Sequence, residues 1–184
     1  MSMMLRALTI VALAVASLRV PNLDGTLVDP FQAPAGTRAT VFLFVSTDCP
    51  ISNRYAPDIH RLEDEFAKNG VAFSLVYPNP AEEAAAIREH VSAFSLPWRA
   101  LRDPGHGLVK YAGVTITPEA AIYDASGRLT YRGRIDDRYS AIGAERTVAT
   151  RRDLRDAIAA TLAGKPVAQR FTQAVGCFVA DFVR

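Results

Sequence analysis

The chain has little cysteine, little lysine and little that could hold a polyanion. Its 184 residues include two cysteines, Cys49 and Cys177, and three lysines, Lys68, Lys110 and Lys165. Two cysteines are too few for the disulfide framework that replaces a core in small secreted domains. With lysine scarce, positive charge rests on arginine, a residue suited to fixed, bidentate partners. The formal net charge is only +2 and no segment sets basic residues beside stacking aromatics, so nucleic-acid binding has no electrostatic footprint. His60, His90 and His106 show no ligand spacing, and Gly105-His106-Gly107 lacks the basic and hydroxyl residues of a phosphate loop. Neither a metal nor an organic cofactor is expected. The histidines read as surface or cap residues, and Asp136-Asp137 as a solvated turn.

What is there suits one globular core, at 49% hydrophobic and 22% charged residues. Residues 1–17 carry one charge at Arg6 and then a short apolar stretch ending Ala14-Val15-Ala16. This is the pattern of a secretory leader, too short for a comfortable bilayer span. It predicts an exported protein, periplasmic or otherwise extracytoplasmic, with no integral membrane domain beyond the leader; without a working leader the protein stays cytoplasmic. In an oxidising compartment a disulfide or a redox-active thiol is expected. Residues 18–165 form the predicted body, and 166–184 an apolar tail that carries Cys177 and docks on it.

The stretch Phe42 to Lys68 organises the body. Thr40 to Val45 are β-branched or large and apolar without alternation, as in a strand covered on both faces. Ser46, Thr47 and Asp48 form a turn, and Pro50 occupies a first-turn position where its missing N–H costs nothing. Cys49 therefore falls at or beside the N-cap of a helix running to Lys68, where unpaired N–H groups favour a thiolate. Ser46 and Thr47 are placed to donate hydrogen bonds to the sulfur and Arg54 to add positive charge, while Asp48 opposes them. The alternative is a small buried hydrophobe. Tyr55, Ile59, Leu62 and Phe66 make the helix's apolar stripe, Pro57 should bend it, and Asn69-Gly70 stop it.

Downstream, Val71 to Tyr77 reads as a strand, Ala81 to Phe94 as a helix, Arg99 to Arg102 as a short strand and Gly107 to Ala112 as a short helix. Ala120 to Tyr123 and Leu129 to Arg134 flank Asp124-Ala125-Ser126-Gly127, a hairpin turn. The last helix is expected over Thr150 to Ala163, with Thr150 and Asp153 in a capping-box-like arrangement. Alternating strands and helices, with this antiparallel pair at one side, argue an α/β fold: a central mixed β-sheet flanked by helices. A nucleophilic cysteine leaves a mixed disulfide or a sulfenic acid that a second thiol must clear, and Cys177 is the internal candidate. Cys177 can equally be a buried small residue or pair with another chain.

Asp48-Cys49-Pro50-Ile51-Ser52 is followed by Ala56-Pro57, and Thr117-Pro118 stands just before Ala120. With the element order, these resemble the thioredoxin-like superfamily over roughly Leu18 to Gly164, in the redoxin branch that includes alkyl hydroperoxide reductase and thiol-specific antioxidant proteins. The resemblance implies a three-layer sandwich, Cys49 as the attacking cysteine, Ser52 where a second motif cysteine would stand, and a cis-proline at Thr117-Pro118. Pro50, Ser52, Thr117 and Pro118 would border the substrate groove. Ser46 and Pro50 also match the surroundings of the peroxide-attacking cysteine in peroxiredoxins, although Phe42 replaces their upstream proline; Arg132 and Arg134 are the candidates for their catalytic arginine. Copper-delivery proteins share the fold, but their second cysteine and late histidine are missing here. The resemblance therefore implies thiol–disulfide exchange first, a peroxidase second and a non-catalytic binding module third. The partners would be a protein disulfide or a hydroperoxide as substrate and an external thiol as reductant.

Overall fold

The computed structural model describes residues 18–180, so the expected leader lies outside the described residues. Chain order begins with β1 (Val20–Pro21) and β2 (Leu27–Val28), which pair antiparallel, and a bridge from Asn22 to Leu101 sets this hairpin at the sheet edge. Strand β3 (Ala39–Phe44) follows, with every residue buried. Its side chains point alternately to opposite faces: Val41 and Leu43 enter one apolar cluster, Phe42 and Phe44 the other. A strand with a core on both sides needs no polar alternation, which accounts for the unbroken apolar run.

Helix α1 (Pro50–Arg54) and helix α2 (Ala56–Phe66) take the place of one continuous helix. The break falls at Tyr55, two residues ahead of Pro57, because proline cannot donate to the ladder and its ring crowds the preceding turn. Beyond it, Ile59, Leu62 and Phe66 bury the predicted stripe. A short 3-10 turn over Ala67–Asn69 ends at Gly70, whose φ of 83° closes the helix in the left-handed region. Then come β4 (Val71–Tyr77), α3 (Ala84–Ala93), β5 (Arg99–Arg102), α4 (Gly107–Ala112), β6 (Ile116–Thr117), β7 (Glu119–Asp124) and β8 (Leu129–Gly133). A hairpin of β9 (Tyr139–Ala141) and β10 (Ala144–Glu145) precedes α5 (Asp153–Leu162), and β11 (Cys177–Phe178) lies in the tail.

The main sheet has five strands in the order β5-β4-β3-β7-β8. Strands β3, β4 and β5 are parallel, whereas β7 runs antiparallel to β3 and β8 to β7. With α2 and α5 against one face and α4 against the other, this is a thioredoxin-like three-layer arrangement. Among the described residues no helix is long and apolar enough to cross a membrane.

Three local expectations are corrected. Thr150 does not cap α5: the N-cap is Arg152, and the Thr150 hydroxyl donates to Asp137 instead. Asp136 and Asp137 are buried rather than solvated, because Asp136 accepts from the Tyr55 hydroxyl and Arg138, and Asp137 from Arg146, Thr150 and the Arg151 N–H. His90 is likewise no surface residue. Its ring is buried between the Tyr77 hydroxyl at 2.9 Å and Asn53 Oδ1 at 2.8 Å, and burial holds its pKa below the ordinary imidazole value. His106 does cap α4 while being buried against the Pro78 carbonyl.

Candidate active site

Strand β3 ends at Phe44, and the turn from Val45 to Asp48 delivers Cys49 as the N-cap of α1. The Asn53 N–H bonds the Cys49 carbonyl at 3.1 Å, with Pro50 in the first turn as the sequence requires. The sulfur faces inward. Cys49 is fully buried, and its Sγ lies 3.3 Å from the Thr117 carbonyl oxygen. Thr117 belongs to β6, and the Thr117–Pro118 peptide bond that follows is cis. Pro118 is buried, Pro50 is exposed, and Ser52 is buried one turn along α1.

The tail completes the site. It passes the outer edge of β8, where the Arg132 N–H bonds the Arg170 carbonyl at 2.8 Å and the Thr172 N–H bonds the Arg132 carbonyl at 3.1 Å. Gly133 is required there, since a Cβ on it would fall 2.1 Å from Thr172 Oγ1. The chain then crosses to β6, where β11 pairs antiparallel with Cys177 opposite Thr117 and Phe178 opposite Ile116. Gly176 permits the approach: a Cβ there would sit 2.0 Å from the Thr117 carbonyl oxygen. The result sets Cys177 Sγ 2.9 Å from Cys49 Sγ, with both cysteines as free thiols and only Cys177 exposed.

The electrostatics of the two sulfurs differ. Burial works against charge on Cys49, but the hydrogen bond from the Cys177 thiol, with the nearby Ser52 hydroxyl and the Ser52 and Cys177 N–H groups, outweighs it, and its pKa lies below the ordinary thiol value. The Ser52 hydroxyl is buried with no hydrogen-bond partner among the described residues, and it favours charge on the sulfur as a nearby dipole. Cys177 moves the other way. Burial, its hydrogen bond to Cys49 and the negative charges of Cys49 and Asp48 push it up to about 12.

Other predicted contributors point elsewhere. The Ser46 hydroxyl donates to Asp48 and to Glu82, and Thr47 donates its N–H and its hydroxyl to Glu82 Oε1 at 2.6 Å and 2.8 Å. They brace the turn rather than the sulfur, because Glu82, buried just before α3, offers a stronger acceptor. Arg54 pairs with Glu145 across the surface. Arg132 donates to the Gly113 carbonyl at 2.6 Å, approaches Glu119 at 3.6 Å and covers the Phe171 ring, whereas Arg134 pairs with Asp153 at 2.8 Å. Sequence reasoning missed Glu82, which nothing in the run Ala81 to Phe94 distinguishes from its exposed neighbour Glu83. No group of three or more His, Cys, Asp or Glu residues that could hold a metal stands together among the described residues.

This fold is that of the thioredoxin-like proteins. The redoxin family profile matches residues 12–148, most of the chain, and the chain belongs to that family. Among solved structures it is similar to a hypothetical protein from Sinorhizobium meliloti 1021, at 25% identity and a TM-score of 0.77, covering 92% of this chain and 93% of the other. An uncharacterized conserved protein from Geobacillus kaustophilus follows at 23% identity and a TM-score of 0.74, covering 89% and 88%. A secreted disulfide oxidoreductase of Mycobacterium tuberculosis shares the fold at 19% identity and a TM-score of 0.54, covering 80% of this chain and 96% of that one. No match was found among curated proteins. Membership of the redoxin family supports a thiol redox function.

Proposed function

We propose that this redoxin is a thiol–disulfide oxidoreductase whose working pair is Cys49 and Cys177. The observation that carries the reading is the approach of the two sulfurs to 2.9 Å, held by the pairing of Cys177 with Thr117. Bonding requires them to close by less than about 1 Å. In the reduced state the pair gives two electrons to a disulfide: one thiolate attacks it, and the other resolves the resulting mixed disulfide as the Cys49–Cys177 bond forms. The Thr117-Pro118 segment, Pro50 and Ser52 border the place where the bond is exchanged. A protein disulfide is the substrate, and an external thiol supplies the electrons. Export from the cytoplasm suits such a cycle, since an oxidising compartment keeps disulfides available.

A peroxidase is the rival chemistry. It draws less support, because Ser46, Arg132 and Arg134 are all engaged with other groups. Two assays on the full chain separate the readings. Catalysed reduction of insulin disulfides by a dithiol, lost in Cys49→Ser and in Cys177→Ser, is the expected result, together with slow consumption of the Cys49 thiol by hydrogen peroxide in stopped flow. Rapid peroxide consumption without insulin reduction would establish the peroxidase. If neither reaction depends on Cys49, the fold is a binding module.

A further inference from the structure

In the proposed pair the two sulfurs do not face the same surroundings. Cys49 has no exposed surface, whereas Cys177 is on the outside of the molecule at the end of a two-residue strand. Thiol–disulfide exchange is an in-line displacement, so an incoming thiolate approaches along the extension of the S–S axis, on the far side of the sulfur it attacks. Cys177 is the one of the two that solvent reaches. Cys49 is enclosed by the protein, with the Thr117 carbonyl 3.3 Å from its sulfur and no surface of its own exposed. The β11–β6 pairing holds both sulfurs in this order.

We infer that Cys177, in the tail, is the sulfur through which the oxidised protein meets its partner: a partner thiolate bonds to Cys177 Sγ and the covered Cys49 departs. The step rests on the Cys49–Cys177 pairing proposed above and balances as follows. The Cys49–Cys177 bond breaks, a bond forms between the partner's sulfur and Cys177 Sγ, and the electron pair leaves on Cys49 Sγ as a thiolate. A second thiolate of the partner then attacks the partner's own sulfur in the mixed disulfide, and Cys177 departs and takes up a proton. The partner dithiol has been oxidised to a disulfide by two electrons, and the Cys49–Cys177 disulfide reduced to two thiols. The leaving order fits the groups present, because the sulfur better held as an anion leaves faster and Ser52 together with two backbone N–H groups holds Cys49. The partner class is a protein dithiol presented at the surface, which needs no entry into a pocket.

The full chain tests this with glutathione as the thiol. The oxidised protein is first weighed without reductant to establish the intramolecular bridge, then mixed with limiting glutathione, acid-quenched within the first turnover and mapped by peptide mass. The expected result is glutathione on Cys177 in at least about tenfold excess over Cys49. Glutathione chiefly on Cys49, or equally on both, with the bridge present would overturn the inference and leave the paired-cysteine reading standing. Absence of the bridge before glutathione is added would end both.

Discussion

At the scale of single residues, the sulfur of Cys49 depends on Ser52 more than on the charges nearest it in sequence. Asp48 and Arg54 were the charged neighbours, yet Arg54 is turned to Glu145, the Cys177 thiol donates to the sulfur, and the buried Ser52 hydroxyl favours its charge. Ser52→Ala is therefore expected to move the Cys49 thiol back up toward the ordinary value, seen as a higher midpoint in the ultraviolet absorbance of the thiolate. At neutral pH the exchange rate should fall several-fold, as less of the Cys49 thiol is ionised. Stability should not fall, since the buried hydroxyl makes no hydrogen bond that the substitution would break. An unchanged midpoint would show that the N–H groups alone hold the thiolate. The position of Cys49 was legible because a strand, a turn and Pro50 are local signals. Which hydroxyls would serve it was not, because Ser46 and Thr47 found Glu82, a residue 36 and 35 positions away. Asp137 repeats the lesson. Burial disfavours its charge, but the Thr150 hydroxyl, the Arg151 and Thr150 N–H groups and Arg146 outweigh it and hold its carboxyl below the usual range. A depressed carboxylate contributes stability that is full above the unfolded pKa, about 3.9, and is lost as pH falls toward the folded value. Asp137→Asn should lower stability at neutral pH by about 1–3 kcal/mol and flatten the acid limb of the denaturation curve below about pH 4.

At the scale of elements, the parts read correctly were those with their own periodicity or punctuation. Val71–Tyr77, Arg99–Arg102, Gly107–Ala112 and the Asp124–Gly127 turn all stand where their residues place them. The β9–β10 hairpin gave no such signal, since its strands have three and two residues. Strand β11 is the instructive case. The apolar tail pointed to docking, but the place of docking is set by a register between residues 60 apart and by the absence of a side chain at Gly176. Gly176→Ala tests that register. Its Cβ would fall on the Thr117 carbonyl oxygen, so β11 must shift or detach, carrying Cys177 away from Cys49. Formation of the intramolecular disulfide by oxidised glutathione should slow by at least about tenfold, as misplacement by an ångström or more removes the advantage of proximity. The main sheet contains no part of the tail, so its circular dichroism should be retained. Unchanged oxidation kinetics would mean that the tail reaches Cys49 without this pairing.

For the whole molecule, the tail converts a local sulfur contact into a constraint on nearly the full length of the body. A disulfide between residues 49 and 177 would stabilise the fold by about 5 kcal/mol if only the entropy of the unfolded loop counted. A second effect opposes it. The reduced folded state holds the Cys49 thiolate with hydrogen bonds that the unfolded chain lacks, and making the disulfide discards them. The difference in unfolding free energy between the oxidised and reduced proteins should therefore be positive but smaller than about 5 kcal/mol. By the same cycle, the shortfall measures how much more oxidising the folded pair is than it would be without the groups that hold its thiolate. Urea denaturation of the two forms at neutral pH gives the difference directly, and Cys177→Ser should show no dependence on oxidant. Ser52→Ala, by weakening the thiolate, should widen the gap toward the full loop value. A gap already at that value in the unsubstituted protein would mean that the folded state does nothing for the thiolate, and the cysteine pair would then be a structural staple rather than a redox couple.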